Sequence, residues 1–377
     1  MANGPIVVMT WNVQGTTGWG LFGLHLGMAL DRVGVRVGAG GAVELGTIPW
    51  TLRESVKRWG RRKGDEAADI VMLQGLSNNF EEPAAIDGGS VRKVGLAIFE
   101  DPVLDAKAVE RLRGFDHLIV PSAWCKDVLA GVGLESRVIH QGFDGTVWHP
   151  APRRRTDDRF TVFCGGKLEY RKGQDILIEA WKRFLKTPEG KDALLVTQWV
   201  NQWPQTMEGV WAKGYVRGVP NQTIHGWDLV GWTAANGVPD GSHLDLGMVS
   251  NADAANAIRE CDAAVFPSRA EGATNMVLTE CMAVGLPCVV AQNTGQRDVP
   301  RGTIYPLERQ NPVVGPCRLY RGFTGWGESD PDEIVQQLQV IRNGPVLAHQ
   351  IGRAAAEAMQ AWTWPATVGQ WREALGV

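Results

Sequence analysis

The six cysteines, at 125, 164, 261, 281, 288 and 317, form no CxxC pair, and most sit inside apolar runs. That spacing argues against a zinc ribbon or a dithiol redox motif and fits reduced, buried thiols of a cytosolic protein. No apolar run reaches the 18 residues of a membrane-spanning helix, and the start, MANGPIVVMTWNV, lacks a charged region followed by a long apolar stretch. Neither membrane spanning nor secretion is expected, so a cytoplasmic location is. Charge of one sign is also missing: 38 Lys and Arg against 41 Asp and Glu leave a net charge of -3 and give no global case for a nucleic-acid partner. Histidine is scarce at seven, and none stands at metal-ligand spacing from another ligand, so no metal is implied. Tyrosine is scarcer still at four, against sixteen Trp. Packing is the usual fate of such indoles, and stacking on sugar or lipid is the other.

What is present is length and alternation. At 377 residues the chain exceeds the size at which one core keeps growing, and 44% apolar content can fill two. Ile6 to Thr10 reads as a strand, followed by a glycine-rich loop and a helix from about Gly20 to Val33. Short apolar runs at 70–73, 94–99 and 117–122 alternate with helical composition, the pattern of a parallel sheet covered by helices. APRRRTDDR (151–159) reads as a linker, after which the pattern restarts: strands at 160–164, 193–198, 263–267 and 287–291, and a helix over Gln174–Phe184. A Trp- and Gly-rich insertion runs from Trp199 to about Asp240, and helical patterns at 332–342, 346–361 and 365–375 close the chain. The expected division is 1–152, 153–355, and a helical segment 356–377 packing back on the first domain.

Two segments carry chemistry. In GGKLEYRKGQD (165–175), Lys167 and Lys172 bracket a strand-to-helix turn and could converge on one anion. A departing nucleoside diphosphate gains charge as its glycosidic bond breaks, and fixed cations stabilise charge best where it develops. In FPSRAEGATNMVLTECMAVGLPCVV (266–290), Glu271 and Glu280 flank a helix start whose unpaired N–H groups suit a diphosphate. Thr274 or Asn275 can cap that helix, with Gly272 in the preceding turn. Glu280 falls roughly 8–9 Å along the axis, a distance fit for ribose hydroxyls. Glu271 could accept from the transferred sugar or lie beside its anomeric carbon. Ordinary surface acids near a helix start are the plainer reading of both.

PSRAEG…TECMAVGLPCVVA and GGKLEYRKGQDILIEAW together resemble the donor-binding domain of retaining family 4 glycosyltransferases, which are group 1 enzymes of α/β, GT-B architecture. That fold has two facing Rossmann-like domains with parallel sheets and a C-terminal helix crossing back to the first. VIHQGFDGTVWHP (138–150) is similar to the close of the family's first domain, and AWTWPATVGQW (361–371) to its last helix. The resemblance implies that Lys167 and Lys172 contact the diphosphate, Glu271 the sugar, Glu280 the ribose, and the backbone around Gly247, Met248 and Val249 the base. It also implies transfer with retention. The chain departs from the family in three places: eight residues rather than seven separate the glutamates, Lys167 stands where Arg is usual, and Phe99-Glu100 stands where a His is common. Lysine keeps the charge but loses the bidentate fork. Glu100 is proposed on the acceptor side, as a hydrogen-bond acceptor or base, with a helix-start acid as the plainer alternative.

Gly18-x-Gly20-x-x-Gly23 matches the dinucleotide fingerprint in form, with Glu44 as the distal acid. An NAD(P)-dependent oxidoreductase is therefore one alternative, and a non-catalytic nucleotide-sugar-binding protein of the same fold is another. In the glycosyltransferase reading, the Gly18 and Gly20 loop approaches the donor phosphate or the acceptor. TLRESVKRWGRRK (51–63) places Leu52, Val56 and Trp59 on one helical face amid basic residues, suited to a peripheral membrane contact or to an ordinary surface helix. Asp330-Pro331-Asp332 imitates a metal motif but reads as a helix start. The expectation is a cytoplasmic, metal-independent hexosyl-type glycosyltransferase, using a UDP- or GDP-type sugar and an unidentified carbohydrate, lipid-linked or protein acceptor. Oligomeric state and the insertion's role are left open.

Overall fold

The computed structural model describes residues 4–59, 68–81, 84–86, 90–224, 226–313 and 318–377. The chain divides into two compact units, Met1–Asp144 with Ala361–Val377, and Gly145–Gln360.

The first unit is built on a six-stranded parallel sheet. Its strands are β1 (Ile6–Met9), β2 (Arg36–Ala39), β3 (Ile70–Leu76), β4 (Val91–Ala97), β5 (His117–Val120) and β6 (Arg137–Val138), in the order β2-β1-β3-β4-β5-β6. Ile6 pairs with Arg36 on one side and Ile70 on the other. All four residues of β1 are buried, as a strand covered on both faces requires. Helices α1 (Gly18–Arg32), α2 (Trp50–Lys57), α3 (Ala106–Arg113) and α4 (Ala123–Ala130) follow strands of this sheet. Thr17 caps α1 by accepting from Gly20 N. The stripe in 51–63 is spent inside the unit: Val56 and Trp59 are core residues beside Val7, Met9 and Leu30. Burial in the core withdraws that apolar face from any lipid surface, while Arg61, Arg62 and Lys63 lie outside the described residues.

The second unit carries β7 (Thr161–Lys167), β8 (Leu194–Val200), β9 (His243–Asp245), β10 (Ala263–Phe266), β11 (Cys288–Ala291) and β12 (Tyr305–Leu307). They form one parallel sheet in the order β9-β8-β7-β10-β11-β12. Numbered within the unit this is 3-2-1-4-5-6, the doubly wound order in which ligands bind outside the carboxyl ends of the strands where the order reverses. That point lies between β7 and β10, paired through Ala263 with Val162. The flanking helices are α5 (Gln174–Phe184), α6 (Leu229–Ala235), α7 (Asn251–Arg259), α8 (Met276–Ala283), α9 (Pro331–Asn343) and α10 (Pro345–Met359). Asp330 caps α9 by accepting from Asp332 N, with Pro331 at the first helical position. The segment 151–159 lies inside this unit, where Arg153 and Arg155 hold Asp262 at 2.6 and 3.1 Å.

The last helix, α11 (Trp364–Leu375), belongs to the first unit. Phe22 of α1 meets Trp364 and Trp371 edge-on, with ring centroids 5.2 and 5.6 Å apart. Five cysteines, at 125, 164, 261, 281 and 288, are free and buried, and Cys317 lies outside the described residues. No described helix is long and apolar enough to cross a membrane.

Candidate functional site

At the reversal point of the second sheet, two loops are fastened together. After β7 the chain turns through Tyr170–Lys172, then Gly173 adopts a left-handed conformation, φ 69°, and opens α5. A side chain there would place its Cβ 2.2 Å from Pro267 O, just past β10, so only glycine lets the loops pass this closely. Backbone bonds finish the joint: Arg269 N and Ala270 N both donate to Arg171 O, at 2.6 and 3.2 Å.

The joint sets the charges. Lys172 Nζ lies 2.7 Å from Glu271 Oε1, and Arg171 Nη1 lies 2.6 Å from Glu271 Oε2. Ser268 Oγ donates to the same carboxylate at 2.8 Å. Burial works against the Glu271 charge, but Lys172 and Arg171 outweigh it and hold its pKa below the ordinary carboxylate value. Lys167 is engaged separately, 2.8 Å from Glu169 Oε2. Each lysine thus has its own carboxylate, Lys167 at Glu169 and Lys172 at Glu271. Burial also pushes the Lys172 pKa down, with Glu271 opposing.

Beneath this layer Arg269 is 0% exposed. It binds Asp175 with both terminal nitrogens, at 2.8 and 2.7 Å, and Glu328 through Nε at 3.0 Å. Burial opposes its charge, yet Asp175 and Glu328 raise its pKa above the ordinary value. Its guanidinium also covers the Tyr170 ring at 4.3 Å. A third loop joins from after β11: Thr294 Oγ1 accepts from Glu271 N at 2.8 Å, and Gly295 N donates to Glu271 O at 3.0 Å. Glu271 is thus fixed at both its backbone and its carboxylate.

The turn 271–275 leads into α8. Gly272 and Thr274 are buried within it. Asn275 stands at the cap position with φ 67°, an uncommon conformation for a non-glycine residue, and its side chain caps nothing. Of the two expected caps, Thr274 and Asn275, the cap position falls on Asn275, whose side chain makes no cap hydrogen bond. Both polar atoms of that buried amide lack a partner among the described residues, as do both of Gln296, in the turn after β11. Glu280, in the second turn of α8, is 7% exposed. Burial alone drives its pKa up to about 8. The unpaired buried amides of Asn275 and Gln296 demand a reason, and a polar ligand supplies one.

The other sequence candidates lie elsewhere. Val249, half-buried, directly precedes Ser250, which caps α7; Gly247 N donates to Asp245 at 2.8 Å beyond β9. Glu100 is in the first unit beyond β4, bound through Oε2 to Asn78 Nδ2 at 3.0 Å. The helix that follows is capped by Asp105, so Glu100 is no helix start. Gly18 begins α1, and Gly20 and Gly23 lie within it. A Cβ on Gly20 would meet Gln14 Cγ at 2.2 Å, and one on Gly23 would meet Trp11 Nε1 at 2.6 Å. Those two glycines serve packing rather than an open phosphate loop. Glu44 stands beyond the end of β2 and accepts from Gln14 at 3.4 Å. Sequence reasoning passed over Arg171, Ser268, Arg269 and Gln296. The signal for Arg171 and Ser268 was present, since Arg171 adjoins Lys172 and Ser268 stands within PSRAEG.

Residues 232–311, all in the second unit, match the family profile described as Glycosyl transferases group 1. No curated protein matches the chain in sequence. Among solved structures, a glycosyltransferase from Rickettsia africae is similar at 12% identity with a TM-score of 0.66, the match covering 99% of each chain. Sucrose-phosphate synthase from Thermosynechococcus elongatus is similar at 16% identity and TM-score 0.63, covering 98% of each chain. Anabaena HepE in complex with UDP-glucose is similar at 15% identity and TM-score 0.62, covering 98% of this chain and 99% of that one. The two six-stranded parallel sheets and these likenesses give the chain the GT-B fold.

Proposed function

We propose that the protein is a retaining, metal-independent glycosyltransferase that moves a sugar from a nucleoside-diphosphate sugar to an acceptor. The observation that carries this reading is the constellation at the reversal point of the second sheet, where Lys172, Arg171 and Glu271 are locked together beside the start of α8. Lys172 and Lys167 would meet the diphosphate, their cations stabilising the charge that grows on it as the glycosidic bond breaks. Gly272, Thr274 and Asn275 would line its path, and the buried Glu280 carboxylate would accept from the ribose hydroxyls. Glu271, held rigid by three side chains, would orient the transferred sugar. The backbone at Gly247, Met248 and Val249 is assigned to the base, and Glu100 to the acceptor. The group 1 match over 232–311 supports the class. HepE is described with UDP-glucose, which supports a UDP-type donor. Retention rests on the family resemblance.

A thermal-shift screen over UDP-, GDP-, ADP- and TDP-sugars tests the donor class, since a ligand that binds only the folded state raises its stability. At least one nucleotide sugar should raise the melting temperature, and none doing so would end the reading. With the active donor, Lys172→Ala should lower turnover at least about tenfold, the scale of losing one charge-stabilising donor. Unchanged turnover would remove Lys172 from the machinery.

A further inference from the structure

The insertion after β8 brings an indole to the candidate donor site. Its first turn is pinned to the β7 loop: Asn201 Nδ2 donates to Leu168 O at 2.5 Å and to Thr206 Oγ1 at 3.0 Å, and Asn201 Oδ1 accepts from Trp203 N at 2.6 Å. Trp227 Nε1, farther along the insertion, donates to Asn201 O at 2.9 Å. The Trp203 backbone is thereby held in place, and the residue is 46% exposed, in contrast to Trp199 and Trp232 nearby, which are buried. The ammonium of Lys167 lies 5.2 Å from its ring centroid.

Its place in the sheet says what the ring can meet. The order β9-β8-β7 sets the loop after β8 between Lys167, at the end of β7, and the Gly247 turn beyond β9. In the proposed donor site the first of these takes the diphosphate and the second faces the base. A half-exposed aromatic ring between them suits a planar heterocycle attached to a diphosphate.

We propose that Trp203 is a stacking platform for the nucleobase of the donor, and that the insertion serves to present it. The inference rests on the donor reading above. Stacking accepts any base, so Trp203 contributes affinity while the Gly247 turn selects the base.

Titration calorimetry on the full chain, with UDP, GDP, ADP and inorganic pyrophosphate as ligands, tests this. Trp203→Ala should weaken the preferred nucleoside diphosphate at least about fivefold, in line with the loss of one base–aromatic stack. It should leave pyrophosphate affinity within twofold, and Trp203→Phe should keep most of the nucleotide affinity. Melting curves of both variants establish that they fold. Equal weakening of nucleotide and pyrophosphate would show that Trp203 acts through Lys167 and overturn the stacking role. Unchanged nucleotide affinity in Trp203→Ala would overturn it too, with the donor reading intact. If the wild-type chain binds no nucleoside diphosphate, both fall together.

Discussion

Glu280 is a carboxyl group whose protonation should report on both folding and ligand. Burial raises its pKa from the ordinary 4.5 to about 8, so the folded chain holds this proton more tightly than the unfolded chain does. A raised folded-state pKa gives a contribution fully present below pH 4.5 and lost as pH climbs through about 8. Glu280→Gln cannot ionise there, so its melting temperature relative to wild type should rise between pH 5 and pH 9. A nucleoside offers hydroxyl donors, which an ionised carboxylate accepts best. Donor affinity of the wild type should therefore grow with pH toward about 8, with protons released on binding, while the variant binds weakly and without that slope. Calorimetry in buffers of different ionisation enthalpy measures the protons, and equal donor affinity in the two proteins would remove Glu280 from the site.

At the scale of elements, the site is a joint between loops, and Gly173 is its narrowest point. An alanine there must hold φ near 69° and meet Pro267 O at 2.2 Å, so the loops after β7 and β10 must separate. Gly173→Ala should cost roughly 2–3 kcal/mol, several degrees of melting temperature, and reduce the donor-induced shift as Lys172 leaves Glu271. A variant that melts and binds like wild type would show the joint to be slack. This joint also marks how far the sequence could be followed. The helix over Gln174–Phe184 is legible because its apolar residues recur at helical spacing, and the buried strands because their runs are short and β-branched. Lys172 and Glu271 are legible as a charged set by their places at strand-to-helix turns. The Arg269 anchor is not, because its carboxylates come from 94 and 59 residues away and nothing local announces them. Nor is the positive φ of Asn275 at the start of α8. In the first unit, the stripe through Val56 and Trp59 shows the converse: periodicity marks an apolar face, and the element packed against it decides its use.

For the whole molecule, the first unit is completed by the end of the chain. Residues 361–377 contribute Trp364, Val368, Trp371 and Leu375 to its core, and Phe143 and Thr363 join as an isolated parallel bridge. Arg137 pairs with Glu373 at 2.7 Å, although that pair is well exposed and adds little. Losing buried Trp side chains costs about 3–5 kcal/mol each, a large share of an ordinary domain's stability. Every residue given to the donor in the proposed function lies in 145–360, while Gly18 begins α1 and Gly20 packs against Gln14. A chain ending at Gln360 should therefore lose the first unit's cooperative melting and become open to proteolysis within 4–144. Its second unit should still melt as a unit and still gain stability from the donor nucleotide. Scanning calorimetry with and without UDP, paired with limited proteolysis, follows both units at once. A truncated chain whose first unit melts and resists protease like the full one would place α11 outside that core.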